Sequence, residues 1–334
     1  VLGKITVMSA AAVLVGTAVL SAPAAQAAGC TWAETTLATP PGYLVQSLDS
    51  GDGAGSIAGT VWDQTAYKSV GAIWQNGIAT VLGAAFGQQT ELADVNRAGV
   101  AVGFYYEGSL RHAVRSVNGA YERLPDPPGY RGSAAFGIND RGDIMGMVGT
   151  SDFLSRTVVW PADAPGTVKV LPVPLQRLDN VADIDEQGNV GASVYGTTPA
   201  VNWQGYVWPA DGGPAVHLTP GSEDPVYLHA VRGGRAAGND YQNGYVWNLD
   251  GTIARTLPGA QNVTVMDSAG AVVATFDDGS IKLLPADGGE AQVVAGPNTW
   301  DSLRVADITD DGDIYGLRST ESPYSTAVVK AQCR

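Results

Sequence analysis

Reactive side chains are scarce in this chain of 334 residues, which has three histidines, two cysteines and four methionines. His112, His217 and His229 stand far apart, and neither a G-x-S-x-G elbow nor an H-E-x-x-H pair occurs. The sequence therefore spells no familiar serine-hydrolase or zinc-protease motif. Positive charge is short as well: 19 Lys+Arg face 33 Asp+Glu, a net charge of −14. Such acidity argues against nucleic acid and anionic membrane surfaces as partners. Beyond residue 20 no long apolar run follows, so no membrane span is expected. The five lysines are outnumbered by fourteen arginines in a background rich in Ala and Gly, which points to a GC-rich bacterial genome.

Glycine is abundant, with 43 copies, and its placement is periodic. The stretch 137–146, GINDRGDIMG, shows the unit: an Asn or Asp, two loose residues, a glycine, and a small residue four places later. The step recurs as Gly55/Gly59, Gly99/Gly103, Gly142/Gly146, Gly188/Ala192, Gly234/Gly238, Gly270/Ala274 and Gly312/Gly316. Successive copies lie 44, 43, 46, 46, 36 and 42 residues apart. Even spacing in the forties with β-rich units is the signature of a propeller or solenoid.

Three residues before the first glycine stand Asp52, Asn96, Asn139, Asp185, Asp267 and Thr309, with Val231 the exception. Their side-chain oxygens can bond a backbone N–H two residues on and start a turn. The glycine supplies the positive φ that closes it, and the second small residue lets a neighbouring backbone approach. Each unit's second half carries a strand often ending in Trp, a polar turn and another strand, as in GAIWQNGIATVLG. Four strands per unit make a propeller blade. Trp74, Trp160, Trp208 and Trp247 are expected to fill space between blades. The expected fold is all-β: one seven-bladed β-propeller of four-stranded antiparallel blades over residues 28–334.

Val1–Ala27 reads as a signal peptide. Lys4 is its only charge, an apolar core runs from Ile5 to Leu20, and Ala25-Gln26-Ala27 fits the cleavage rule. The seventh unit ends without a fourth strand, while residues 31–44 resemble the end of the second unit. The N-terminal strand should therefore complete the last blade, since an open ring exposes strand edges. Cys30 and Cys333 fall where other units have a tight turn, and an even count in an exported chain favours a disulfide. Closing so long a loop is worth about 4–5 kcal/mol in the chain-entropy model. Ala27-Ala28-Gly29-Cys30 also resembles a lipobox, which would acylate Cys30 and anchor the protein.

FGINDRGDIMG, RHAVRSVNG and GAIWQNG together resemble the bacterial extracellular HAF-repeat family, whose motif runs A-x-x-I-N-x-x-G-x-x-x-G and then H-A-F-x-W-x-x-G. The resemblance covers nearly all of 30–334. It implies a secreted propeller-like protein and carries no catalytic residue with it.

With the four strands of each unit lettered a to d in chain order, candidate binding residues lie on the face that carries the b–c and d–a connections. Trp62, Tyr67, Tyr105, Tyr106, Phe153, Tyr195, Trp203, Tyr241, Trp300 and Tyr324 stand there among acidic residues such as Glu107, Asp224 and Asp278. Aromatics beside carboxylates suit stacking on, and hydrogen bonding to, a sugar or peptide. Asp307, Thr309, Asp311 and Asp313 resemble a calcium loop. Asp94, Asp183 and Asp307, however, share one position five residues before the repeat glycine, which favours turn capping. Arg141-Gly142-Asp143 spells an integrin tripeptide around a glycine the repeat already requires. These features predict a secreted, monomeric, non-enzymatic scaffold that binds an extracellular glycan or protein and needs no cofactor. A propeller-fold glycan hydrolase or lyase using loop carboxylates is the alternative, and a lipid-anchored surface propeller is another.

Overall fold

Every unit folds as a four-stranded antiparallel sheet, and seven such sheets form a ring. The computed structural model describes residues 31–149, 155–172, 176–196, 202–221, 224–297, 302–321 and 324–334. The expected signal peptide, 1–27, and Cys30 lie outside the described residues. Among those described, the one helical piece is a 3₁₀ turn at Ala85–Gly87, and no helix is long and apolar enough to cross a membrane.

The innermost strand of each blade, strand a, runs from the loop face to the hairpin face. These strands are Tyr43–Gly51, Thr90–Val95, Gly132–Ile138, Gln176–Ile184, Tyr227–Arg232, Ala260–Met266 and Ser302–Ile308. Each pairs with strand b of its own blade through a bulge at one shared position. In blade 2, Leu92 faces Gly103 and Asp94 faces Val102, leaving Ala93 over. The left-over residue is Phe136 in blade 3, Ala182 in blade 4, His229 in blade 5, Thr264 in blade 6 and Ala306 in blade 7. Blade 1 inserts Asp49 and Ser50 opposite Ala58. A bulge bends its strand and re-aims the side chains beside it.

The second small residue of the repeat faces the residue just before this bulge. A Cβ added at Gly103 would fall on the Glu91 carbonyl, and one at Gly146 on the Ala134 carbonyl. The backbone of strand a therefore lies against strand b where a side chain would otherwise stand.

The turn residues cap as expected, with a longer reach. Asn139 Oδ1 accepts from Asp143 N at 2.9 Å, four residues on, while Gly142 takes φ 88°. Asp267 and Thr309 make the same four-residue bond, to Ala271 N and Asp313 N. Blade 5 differs because Val231 pairs with Ala236 and Arg232 with Arg235. Gly233 and Gly234, at φ 57° and 73°, form a two-residue turn that needs no side-chain cap. Arg232 thus occupies the capping position without capping.

The hydrophobic core is divided among the seven seams. Each seam holds a cluster drawn from two consecutive blades, as where Val102 and Ala113 meet Ile138 and Ile144. The seam from blade 7 to blade 1 is built alike, with Leu317 and Val328 against Val45 and Val61. The four tryptophans are buried, and each indole N–H clamps the linker entering its blade. Trp74 bonds Ala38 O, Trp160 Pro125 O, Trp208 Pro172 O and Trp247 Thr219 O, at 2.8–3.2 Å.

Closure follows the expectation over a shorter stretch than 31–44. Trp32–Thr36 forms the outer strand of blade 7, pairing Trp32 with Cys333 and Thr36 with Val329. Residues from Tyr43 onward belong to blade 1. Thr31 and Arg334 exchange two backbone hydrogen bonds, which brings the two ends of this ring together.

Gly103→Val should destabilise the protein by about 1–3 kcal/mol, the range for overpacking a filled site. Gly149→Ala, where a Cβ meets open space, should be near neutral. Urea unfolding midpoints of the two variants check this.

Candidate active site at the central channel

The bulges gather acidic side chains around the ring axis. Asp94, Asp183 and Asp307, one sequence position in three blades, stand at the hairpin end of strand a, the first and last buried and Asp183 half-buried. Asp94 staples two blades. Asp94 accepts from Val95 N at 2.8 Å and from Ile138 N of the next blade at 2.8 Å. Asp183 accepts from Ile184 N at 2.8 Å, and Asp307 Oδ2 is buried without a hydrogen-bond partner. Arg232 reaches in from blade 5, its Nη1 standing 3.5 Å from both Asp307 Oδ1 and Ile308 O.

One guanidinium cannot balance three carboxylates in a space with little water. Burial pushes Asp183 up to about 7 and Asp307 up to about 6, while burial and the charge of Asp183 hold Asp94 well above its ordinary value. Burial works against the charge on Arg232, but Asp307 and Asp183 outweigh it and raise its pKa. These groups line a cavity of about 130 Å³ together with His229, Asp140 and Glu186. On the hairpin face, Arg97 joins Asp140 and Asp310 at 3.4 Å each, and Asp140 N donates to Glu186 Oε2 at 2.9 Å. These links tie blades 2, 3, 4 and 7 together across the channel's end.

Outside this cavity stand further titratable groups on the innermost strands. Asp49, at the blade 1 bulge, is flanked by protein on most sides yet open to solvent, and it accepts from Ser47 Oγ at 2.7 Å. Desolvation, reinforced by the nearby charge of Glu91, lifts Asp49 to about 6, although Ser47 and Arg304 pull the other way. Glu91 is half-buried and accepts from the Tyr106 hydroxyl at 3.1 Å. His229 occupies the corresponding bulge in blade 5. Burial lowers its pKa, its ring bonds the Asn239 side chain, and Nε2 has no protein partner. An acid that is half-protonated near pH 6, with a second carboxylate and the Arg304 guanidinium in its electrostatic reach, suffices for proton transfer at a polar substrate.

The structure scatters some of the aromatic candidates and joins others. Trp62 is half-buried at the end of strand b in blade 1, and Tyr67 is 77% exposed in the following turn. Tyr105 is buried between Phe86 and His112, while Tyr106 turns the other way, toward Glu91 and Arg111. Tyr195, Trp203 and Tyr241 form one line with Tyr227, a tyrosine the sequence did not single out. Tyr324 pairs with Glu321 in blade 7, its side chain outside the described residues, as are Phe153 and Trp300. The calcium-loop candidates do not converge. Thr309 caps its turn, Asp313 holds Lys330 at 2.6 Å and Gln332 at 2.9 Å, and Asp307 faces Arg232. No group of three potential ligands surrounds a metal position among the described residues. Arg141 is paired with Asp143 within its own tripeptide at 2.6 Å.

From the sequence the acidic trio reads as turn caps, with Asp307 also in a calcium-like loop, and His229 has no role. The shared position of the trio was a usable signal. Which residues each bulge turns toward the axis was not.

No protein-family model matches the chain, and a search of curated proteins returns no match. Solved structures do match. A puromycin hydrolase aligns with a TM-score of 0.62 at 13% identity over 86% of this chain, which spans only 53% of that enzyme. An oligogalacturonate lyase in complex with manganese aligns with a TM-score of 0.58 at 10% identity, covering 91% of this chain and 96% of its own. The β-propeller domain of the Trilobed protease from Pyrococcus furiosus gives 0.62 at 10% identity, covering 87% and 97%. At such identities the likeness shows the fold alone. The non-enzymatic scaffold expected from the sequence is nevertheless corrected, because the matched propellers include a hydrolase and a lyase.

A carboxyl with a higher pKa in the folded than in the unfolded chain takes up protons on folding. It therefore supports the fold near and below its ordinary value of 3.8 and withdraws that support as pH rises through its folded value. His229 acts oppositely below its ordinary value, so a variant isolates the carboxylate. The melting temperature of Asp183→Asn minus that of the parent should grow between about pH 5 and about pH 8. Calorimetry at the two pH values checks the sign.

Proposed function

We propose that this protein is a propeller-fold enzyme that cleaves glycans, with its chemistry in the central channel. Asp49 carries the reading. Its carboxyl is raised to about 6 while still open to solvent, and Glu91 stands near enough to influence its charge. A general acid needs a raised pKa and a general base needs an ionised neighbour, and paired carboxylates of this kind split glycosidic bonds. Asp49 gives its proton to the departing sugar oxygen, and Glu91 takes one from the attacking water. The catalytic groups are thus strand carboxylates in place of the loop carboxylates expected from the sequence. The enzymes among the propellers of similar fold, and the aromatic residues on the loop face, support this reading.

His229 supports a second reading, elimination. A neutral imidazole whose buried Nε2 has no protein partner can remove the proton beside a uronate carboxylate. Elimination leaves an unsaturated sugar that absorbs ultraviolet light, whereas hydrolysis leaves only a new reducing end.

The same proposal places the enzyme outside the cell. It takes residues 1–27 as an export signal and Cys30 as the disulfide partner of Cys333, whose strand pairs with Trp32. Membership of the HAF-repeat family remains part of it, supported by the repeat at each hairpin.

On a panel of polysaccharides, the purified protein should cleave at least one. Asp49→Asn and Glu91→Gln should each lower kcat about 10²- to 10⁴-fold with unchanged melting. No cleavage of any glycan, or full activity in both variants, would refute the proposal. Dithiothreitol should lower the melting temperature of the parent but not of a Cys30→Ser/Cys333→Ser variant.

A further inference from the structure

The aromatic side chains of this ring fall into two kinds. The four strand-c tryptophans belong to the blade seams, where each is buried among aliphatic side chains or has its N–H fixed to a linker carbonyl. Tyr195, Trp203, Tyr227 and Tyr241 belong to none of the hydrophobic clusters that fill the seams. They touch one another instead, with centroid separations of 5.3, 6.1 and 6.0 Å along the line.

The topology fixes where this line runs. Tyr195 and Trp203 are register partners at the loop-face end of strands b and c in blade 4. Tyr227 opens strand a of blade 5, beside the channel, and Tyr241 lies in that blade's b–c turn. Three of the rings are half-buried and Tyr241 is 63% exposed. The Tyr227 hydroxyl donates to that of Tyr241 at 3.4 Å, which ties the exposed ring to the strand. Asp240 beside the strip is turned away, being buried and accepting from Tyr245 Oη, Gln242 N and Asn243 N, while Asp224 is exposed.

We propose that Tyr195, Trp203, Tyr227 and Tyr241 form a sugar-binding strip that guides a neutral glycan chain across blades 4 and 5 into the channel. The substrate class rests on the glycan-cleaving reading above, while the strip itself is tested by binding alone. Sugar rings present a C–H face whose weak positive charge complements the negative face of an aromatic ring. Rigid Tyr and Trp side chains hold such a face at little entropic cost. The net charge of −14 and the carboxylates Asp49 and Glu91 at the channel oppose a polyanionic chain and select an uncharged one.

Affinity electrophoresis tests the strip without turnover. The whole protein is run in native gels containing a neutral β-glucan, a neutral xylan, chitosan or polygalacturonate. Retardation by a neutral polysaccharide is expected, with Tyr241→Ala and Trp203→Ala each weakening it at least about tenfold, in the range of a lost stacking contact. Ile78→Ala, which removes an exposed apolar side chain on blade 1, should leave it unchanged. Trp203→Phe, which keeps a ring and guards against misfolding, should retain most of the affinity. Retardation only by polygalacturonate or chitosan, retardation equal in parent and strip variants, or none in any gel would overturn the proposal. Cleavage of a glycan without involvement of the strip would leave the catalytic reading standing and remove this one.

Discussion

The bulge in the innermost strand of each blade is the constraint from which the rest of this structure follows. It puts one extra residue into strand a opposite a shorter stretch of strand b. The strand then turns toward the hairpin face, and its carbonyl settles on a position that admits only hydrogen or, in two blades, a methyl group. Seven repetitions bend seven strands alike around one axis. The close contact fixes the register of the a–b pair, and the register fixes which side chains face the neighbouring blade and which face the channel. Apolar burial in the seams then holds the blades side by side, with each seam adding a cluster that neither blade could bury alone.

Because the bulge directs side chains inward, the ring concentrates charge where water is scarce. Asp94 answers this by accepting backbone N–H groups from two blades at once, so its acidity contributes to the joint between them. The local excess of negative charge is only partly met by Arg232. That residue is free to enter because the Gly233–Gly234 turn of blade 5 closes without a capping side chain. A departure from the repeat in one hairpin thus provides the counter-charge for three blades that keep to it. The same scarcity of water raises Asp49, which does not staple blades and remains open to solvent. The acidity at the blade joints and that of Asp49 therefore have one cause and differ in exposure.

The loop face works by a different rule. Its connections are not bound by the bulge and vary in length and composition from blade to blade. The aromatic residues there either pack against their own blade, as Tyr105 does, or form the line through Tyr195 and Tyr241. A rigid ring carrying variable loops separates the demands of stability from those of recognition.

The sequence by itself determined the number of blades, the strand content of each, the position of the hairpins and the closure by residues near the N-terminus. All of these depend on local chemistry repeated at a steady interval: a capping oxygen, a glycine with positive φ, a small residue four places later. Local chemistry is visible in one dimension. Convergence is not, and only the tertiary structure decided that Asp49, Glu91, His229 and Arg232 would share an axis. These residues come from blades 1, 2 and 5, and no spacing between them is meaningful until the ring is closed. Their chemistry is likewise a tertiary property. A carboxyl in an isolated strand is solvated and ordinary, and it becomes an acid active near neutral pH when six other strands displace the water around it.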